Sequence, residues 1–229
     1  MPDISAVHRP STKADSAYQA LRRAIVVGEV QANVPLDDAD LAARYETGRT
    51  PVREALKRLA LEQFVVWPPR RTPYVRDLSL HDLQRLYESR LVIETRAARL
   101  AATRITDQQL DKVERLANKL REAAERRETY EAVELDHELH LAVTQGSDNR
   151  FLTEAVGHLN CGSLRLWYVA HERLGLEGVP ADHDDITHAL RGRDPDRAEK
   201  TVREHILLSH EKQMQLQSLP TNQQLLSTD

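Results

Sequence analysis

Apolar residues recur along this chain at intervals of three and four almost throughout, the period of amphipathic helices. From Ala17, Leu21, Ala24 and Ile25 the pattern predicts a helix over about residues 14–27, ended by Gly28. A short capped helix follows near residues 38–45, then a third over about 49–63, in which Val52, Ala55, Leu56, Leu59 and Ala60 form one apolar stripe. Thr50 and Pro51 fall in its first turn, where no backbone donor is needed. Phe64-Val65-Val66-Trp67 and Thr72-Pro73-Tyr74-Val75-Arg76 are predicted as short strands around Pro68-Pro69-Arg70-Arg71, a hairpin or else a plain proline-rich linker. From Ser79 the period is purely helical. Six helices are predicted, ending near residues 103, 127, 145, 171, 191 and 217, with caps at Ser79, Thr106, Asn149 and Asp194. Along the first of these the apolar positions are Leu83, Leu86, Leu91, Ile93, Ala97 and Leu100. Two domains result, over residues 14–76 and 79–219, with residues 1–13 and the tail from Pro220 expected to be disordered. The fold class is mostly α: an N-terminal helix-turn-helix with a wing, then a six-helix antiparallel bundle.

Composition narrows the class. Of 229 residues 40% are hydrophobic and 30% charged, with 8 glycines. That supports a packed, helix-rich core with a solvated surface. No apolar run approaches the roughly 20 residues of a membrane span, and the N-terminus lacks the apolar stretch of a signal peptide. The single Cys161 cannot form an internal disulfide, which fits a reducing cytoplasm. It has no Cys or His partner at metal spacing and reads as a small buried hydrophobe. The net charge of −4 is unevenly spread. Residues 1–76 carry 12 basic and 9 acidic side chains, a balance of +3; the remainder carries 20 against 27, a balance of −7. Attraction to DNA is local, so the asymmetry matters more than the total.

On the third helix Arg49, Arg53 and Lys57 sit four apart and make a cationic stripe opposite the apolar one. Such a helix suits the major groove of double-stranded DNA, Arg49 and Arg53 reaching bases or phosphates. Thr50, Lys57, Arg70 and Arg71 are the candidates for holding the DNA backbone. The same stripe also fits an ordinary solvated helix face. The run Arg49-Thr50-Pro51-Val52-Arg53-Glu54-Ala55-Leu56-Lys57-Arg58-Leu59, preceded by Leu36 and Asp40-Leu41-Ala42, resembles the winged-helix domain of GntR-family bacterial transcription regulators. Ala32-Asn33 stands where that family has Pro-Gly, Glu46-Thr47-Gly48 where it has Gly-Val-Ser, and Gln63-Phe64 where Gly-Leu is common. The usual wing glycine is absent.

The chain has 10 histidines. Asp136 and His140 are four apart and share a helix face beside Leu139 and Val143. His183 lies one turn before Ile186 and Ala189-Leu190, and His205 shares a face with Ala198, Val202 and Leu208. Three histidines and an aspartate facing a bundle interior form a divalent-metal site for zinc, nickel, manganese or iron, or else satisfied core residues. His137 points sideways and His188 to solvent. Asp136-His137-Glu138-Leu139-His140, then Asp182-His183, Arg193-Asp194, Ala198 and His205-Ile206, is similar to the FCD ligand-binding domain of the FadR subgroup, in its VanR-like branch. The resemblance implies that Asp136, His140, His183 and His205 hold the metal, zinc first among the candidates. It also places Arg90 at the effector, where a guanidinium would grip a carboxylate. Otherwise Arg90 and Glu94 are an i,i+4 surface pair. Asn149 and Arg165 complete the candidate effector-binding set. Arg165, Trp167 and Tyr168 equally fit core or dimer surface. The expected molecule is a homodimeric regulator, a repressor, bound to a palindromic operator and controlled by a small organic acid. A purely structural metal, or a metal-dependent hydrolase or lyase, is the alternative; no catalytic residue is assigned.

Overall fold

The structure, a computed structural model, describes residues 12–77 and 79–218. The first eleven residues and the tail from Pro220, expected to be disordered, lie outside the described residues. The chain divides into two compact units, the boundary in sequence falling between Leu78 and Ser79.

The first unit holds α1 (Lys13–Val26), α2 (Asp38–Arg44) and α3 (Arg49–Leu61), then β1 (Val65–Val66) and β2 (Tyr74–Val75). The Thr12 hydroxyl accepts from the Asp15 backbone and starts α1 one residue earlier than the apolar spacing predicts. Asp37 caps α2 by accepting from the Ala39 and Asp40 backbones at 2.8 and 3.2 Å. Leu21, Ile25, Val52, Leu56, Leu59 and Phe64 bury the shared face of α1 and α3. The strands pair antiparallel, Val65 opposite Val75 and Val66 opposite Tyr74, and Pro35 bridges Tyr74 on the outer side. The proline-flanked segment is therefore a hairpin and not a linker.

The departures from the GntR pattern have a common backbone signature. Asn33, Glu46 and Gln63, which replace the three family glycines, have φ of 63°, 48° and 68°. Arg70, at the glycine-free wing tip, has φ of 59°. The fold keeps a left-handed residue at each point. Asparagine accepts that conformation readily; glutamate and glutamine pay about 1–2 kcal/mol for it.

The second unit is a six-helix bundle: α4 (Leu80–Arg104), α5 (Asp107–Glu125), α6 (Thr129–Gln145), α7 (Arg150–Leu174), α8 (Val179–Arg191) and α9 (Pro195–Ser218). Capping boxes start two of them: Ser79 with Asp82 on α4, and Thr106 with Gln109 on α5. α4 packs on α9, α5 on α6, and α6 on α7. Leu83, Tyr87, Ala98, Leu110, Val113, Leu120, Leu139, Ile186, Val202 and Ile206 lie in the core. On α4 the burial departs from the apolar spacing. Leu86, Leu91, Ile93 and Leu100 are half-buried, whereas Leu83, Tyr87, Arg90, Glu94 and Ala98 are buried. The inward face of this helix therefore carries an ion pair at its centre. Leu208, expected inside, is 45% exposed. Among the described residues no helix is long and apolar enough to cross a membrane.

Candidate functional site

In the first unit α3 presents Arg49, Thr50, Arg53 and Lys57 to solvent, and Arg70 and Arg71 are exposed at the hairpin tip. The two α3 arginines are tied together from α2. Asp38 Oδ1 accepts from Arg49 at 2.7 Å, and its Oδ2 lies 3.3 Å from Arg53. The Arg53 guanidinium also lies 5.9 Å from the centre of the Trp67 ring. Asp38 thus fixes the spacing of both cations while leaving each more than half exposed. The sequence does not single out Asp38, because an acidic residue in the first turn of a helix is an ordinary helix-start residue. Arg58 is absorbed locally, paired with Glu62 at 3.3 Å and stacked on Tyr18.

In the bundle, α6 supplies Asp136 and His140, α8 supplies His183 and α9 supplies His205. One ligand atom from each lies within 4.8 Å of the others. The three histidines are buried and Asp136 is largely so. Their tautomers follow from the outer hydrogen bonds. His183 Nδ1 lies 2.7 Å from the Val179 carbonyl, and donation there leaves the Nε2 lone pair facing Asp136 Oδ1 at 2.9 Å. His140 Nδ1 lies 2.6 Å from Glu94, which turns its Nε2 inward, 3.0 Å from Nε2 of His205. Inward lone pairs facing a carboxylate repel one another unless a cation or a proton lies among them. Three nitrogens and one oxygen so placed fit a divalent metal of the zinc, nickel, manganese or iron type.

Without a metal, a proton between His183 and Asp136 takes that place. Burial alone would push Asp136 up, but His183, hydrogen-bonded to it, and His140 hold it well below the usual carboxylate range. Burial pushes His183 down, and the adjacent Asp136 outweighs it, leaving the imidazole above its ordinary value. His205 is driven well below its ordinary value by burial and by the two neighbouring histidines.

Arg90 and Glu94 form a buried pair at 2.6 Å, with side chains 1% and 3% exposed, so the surface-pair alternative is excluded. Glu94 receives hydrogen bonds from Arg90 and His140 together. Burial raises its pKa, and Arg90 and His140 beside it overcome this and hold it down at about 2. The Arg90 guanidinium stacks 4.6 Å from the Trp167 ring centre, and its Nη1 and Nη2 are buried without a hydrogen-bond partner. Arg90 lines a cavity of about 20 Å³, whose walls also include Asp136, Trp167, His205, Ser209 and Lys212. Glu94, Ser209 and Lys212 were missed from the sequence. Leu83, Tyr87, Arg90 and Glu94 share one helical stripe, a signal that could have found Glu94. Asn149 and Arg165 are not brought to this cavity. The Asn149 side chain instead caps α7, accepting from the Phe151 and Leu152 backbones. Arg165 is half-buried farther along that helix. His188 is exposed. His137 is buried, and its Nε2 lies 3.7 Å from Sγ of Cys161, which is half-buried and so not the core hydrophobe expected.

A winged helix with a cationic helix face, joined in one chain to a helical bundle around a polar cluster, defines a DNA-binding regulator. Residues 13–75 match the bacterial regulatory proteins of the gntR family, and residues 85–208 match the FCD domain. The chain is 30% identical over 190 residues to the HTH-type transcriptional repressor RspR of Escherichia coli K12, covering 82% of this chain and 83% of that one. In fold it is similar to E. coli McbR/YncC, with a TM-score of 0.77 at 20% identity over 90% of this chain and 99% of that one. A GntR regulator from Rhodococcus sp. RHA1 gives 0.71 at 18% identity over 91% and 99%. The chain belongs to the GntR family of bacterial transcription regulators and carries its FCD domain. These are DNA-binding regulators and not enzymes.

Proposed function

We propose that the protein is a cytoplasmic, homodimeric repressor of the FadR subgroup, VanR-like branch, whose grip on a palindromic operator is set by a small carboxylate bound in the bundle. The six-helix count of the second unit supports that branch. Arg49 and Arg53 read bases or phosphates from the major groove, and Thr50, Lys57, Arg70 and Arg71 hold the backbone. Asp136, His140, His183 and His205 hold a divalent metal, zinc foremost. When bound, it supplies a Lewis-acidic anchor for a carboxylate. Arg90 supplies the second anchor. Its two unpartnered guanidinium nitrogens, buried beside the cluster, carry this reading, because a buried donor without an acceptor costs about 1–3 kcal/mol or more. An effector carboxylate accepts from both. Asn149 is left out of the effector site, its side chain being engaged in the cap, and so is Arg165. A preference of the effector for one arrangement of the bundle then shifts the DNA affinity.

Elemental analysis of the purified protein, with operator affinity measured with and without chelator and with and without small carboxylates, tests the reading. About one metal per chain, and an acid response that chelation abolishes, is the expected result; the pair His183→Ala with His205→Ala loses the metal. Metal without any acid response makes its role purely structural. No metal and no response removes the sensor.

A further inference from the structure

Two cavities adjoin at the wall formed by Asp182, His205 and Leu208. The inner one, about 20 Å³, has Arg90 and Lys212 on its walls beside Asp136 and Asp182, and is too small for more than a head group. The outer one, about 410 Å³, is open to solvent between α8 and α9. Asp182, Asp185, Glu204 and Glu211 line it together with Leu207 and Leu208, each leucine 45% exposed. Lys200 approaches Glu204 at 3.8 Å, so the four carboxyls outnumber the cation beside them. Three buried nitrogens here have no hydrogen-bond partner: Nη1 and Nη2 of Arg90 within, and Nδ1 of His205, a residue of the shared wall. A passage for bare metal ions gains nothing from leucine walls, whereas an alkyl chain does.

We infer that the effector is an amino carboxylate, its carboxylate at Arg90 and Lys212, its alkyl chain along Leu208, and its ammonium group among Asp185, Glu204 and Glu211. The inference rests on the reading of the bundle as a carboxylate sensor. It adds a selectivity rule. A plain fatty acid of the same length finds the head site but leaves the acidic groove unanswered. A dicarboxylate places a second anion against four carboxyls and is rejected.

The test is calorimetric titration of the zinc-loaded, full-length protein with ω-amino acids of four to eight carbons, each compared with the unsubstituted acid and the dicarboxylate of equal length. At the best length the amino acid should bind at least about fivefold more tightly than the plain acid, the value of one partly exposed ion pair. The dicarboxylate should be weakest. Asp185→Asn, Glu204→Gln and Glu211→Gln together should bring the ratio of amino acid to plain acid close to one. A plain acid or dicarboxylate that is tightest at every length overturns the inference, as does an advantage that survives the triple substitution. If no acid binds, or if Arg90→Met with Glu94→Gln leaves binding of all three classes intact, the carboxylate-sensor reading itself fails, and the inference falls with it.

Discussion

Replacing Glu94 by alanine removes one carboxylate from the middle of α4 and strands two neighbours. The Arg90 guanidinium, 1% exposed, loses the acceptor 2.6 Å away, and His140 Nδ1 loses its own at the same distance. The magnitude follows by two routes. Against the burial that would raise it, the Glu94 carboxyl is held at about 2 by Arg90 and His140, where a free one titrates at 4.5. That gap corresponds to about 3 kcal/mol of stabilisation. Independently, removing one member of a buried ion pair costs about 3–5 kcal/mol, because the other charge stays buried. An exposed i,i+4 pair would give only about 0.3–0.5 kcal/mol. The assay is urea unfolding of chelator-treated, full-length protein, followed by far-ultraviolet circular dichroism. Six of the nine helices among the described residues belong to the bundle, so its transition dominates. With about 1–3 kcal/mol per molar urea for a domain of this kind, the midpoint should fall by about 1–3 M. Arg90→Met with Glu94→Gln removes both charges and should recover most of the loss. A loss below about 1 kcal/mol for Glu94→Ala, or a double variant as unstable as the single one, would refute the reasoning.

Arg53→Ala should weaken operator binding by about 1–3 kcal/mol if this side chain reads a base, as measured by fluorescence-free gel shift; unchanged affinity would remove it from the interface. Asp38→Asn frees both α3 arginines and should raise affinity for random-sequence DNA more than for operator, narrowing the ratio between them; a preserved ratio would leave Asp38 no part in positioning. The metal-free bundle should be most stable near pH 6.5. His183, raised above its ordinary value, contributes in full below about 6.5 and less as pH climbs through its folded value. His205, held far below its ordinary value, costs stability as pH drops under about 6.5, because only the unfolded chain takes up the proton. Unfolding midpoints that rise or fall steadily from pH 5 to 8 would contradict this. Gln63→Gly, at φ of 68°, should stabilise the first unit by about 1 kcal/mol; a lower thermal midpoint would show that the Gln63 side chain makes up for its strained backbone.

Much of the helical architecture is readable because it is local. Thr129–Gln145 stops in the structure where its spacing predicts, and the Ser79 and Thr106 caps are written in side chains three residues from their partners. Asp136, His140, His183 and His205 could be picked from helix faces, since each lies beside apolar residues of its own helix. Their approach to within 4.8 Å depends on how α6, α8 and α9 pack, which no local spacing contains. The same limit hid Glu94. A charged residue on an amphipathic helix is normally solvated, and only His140, from another helix, makes its burial tolerable. Asp38 was hidden in reverse, because a local explanation for it was already sufficient. Asn149 illustrates competition: the cap took the side chain that the effector site had been assigned.

The two tryptophans of the chain fall one in each unit. Trp67 lies beneath Arg53 in the first, and Trp167 lies beneath Arg90 in the second, its indole N–H donating to Tyr87. Each ring therefore has a guanidinium of the neighbouring proposed site over its face. Intrinsic emission would separate into two channels on replacing either ring by phenylalanine, one answering to nucleic acid and the other to small molecules. The protein thus contains its own pair of optical probes, and the order in which they respond would show which event drives the other.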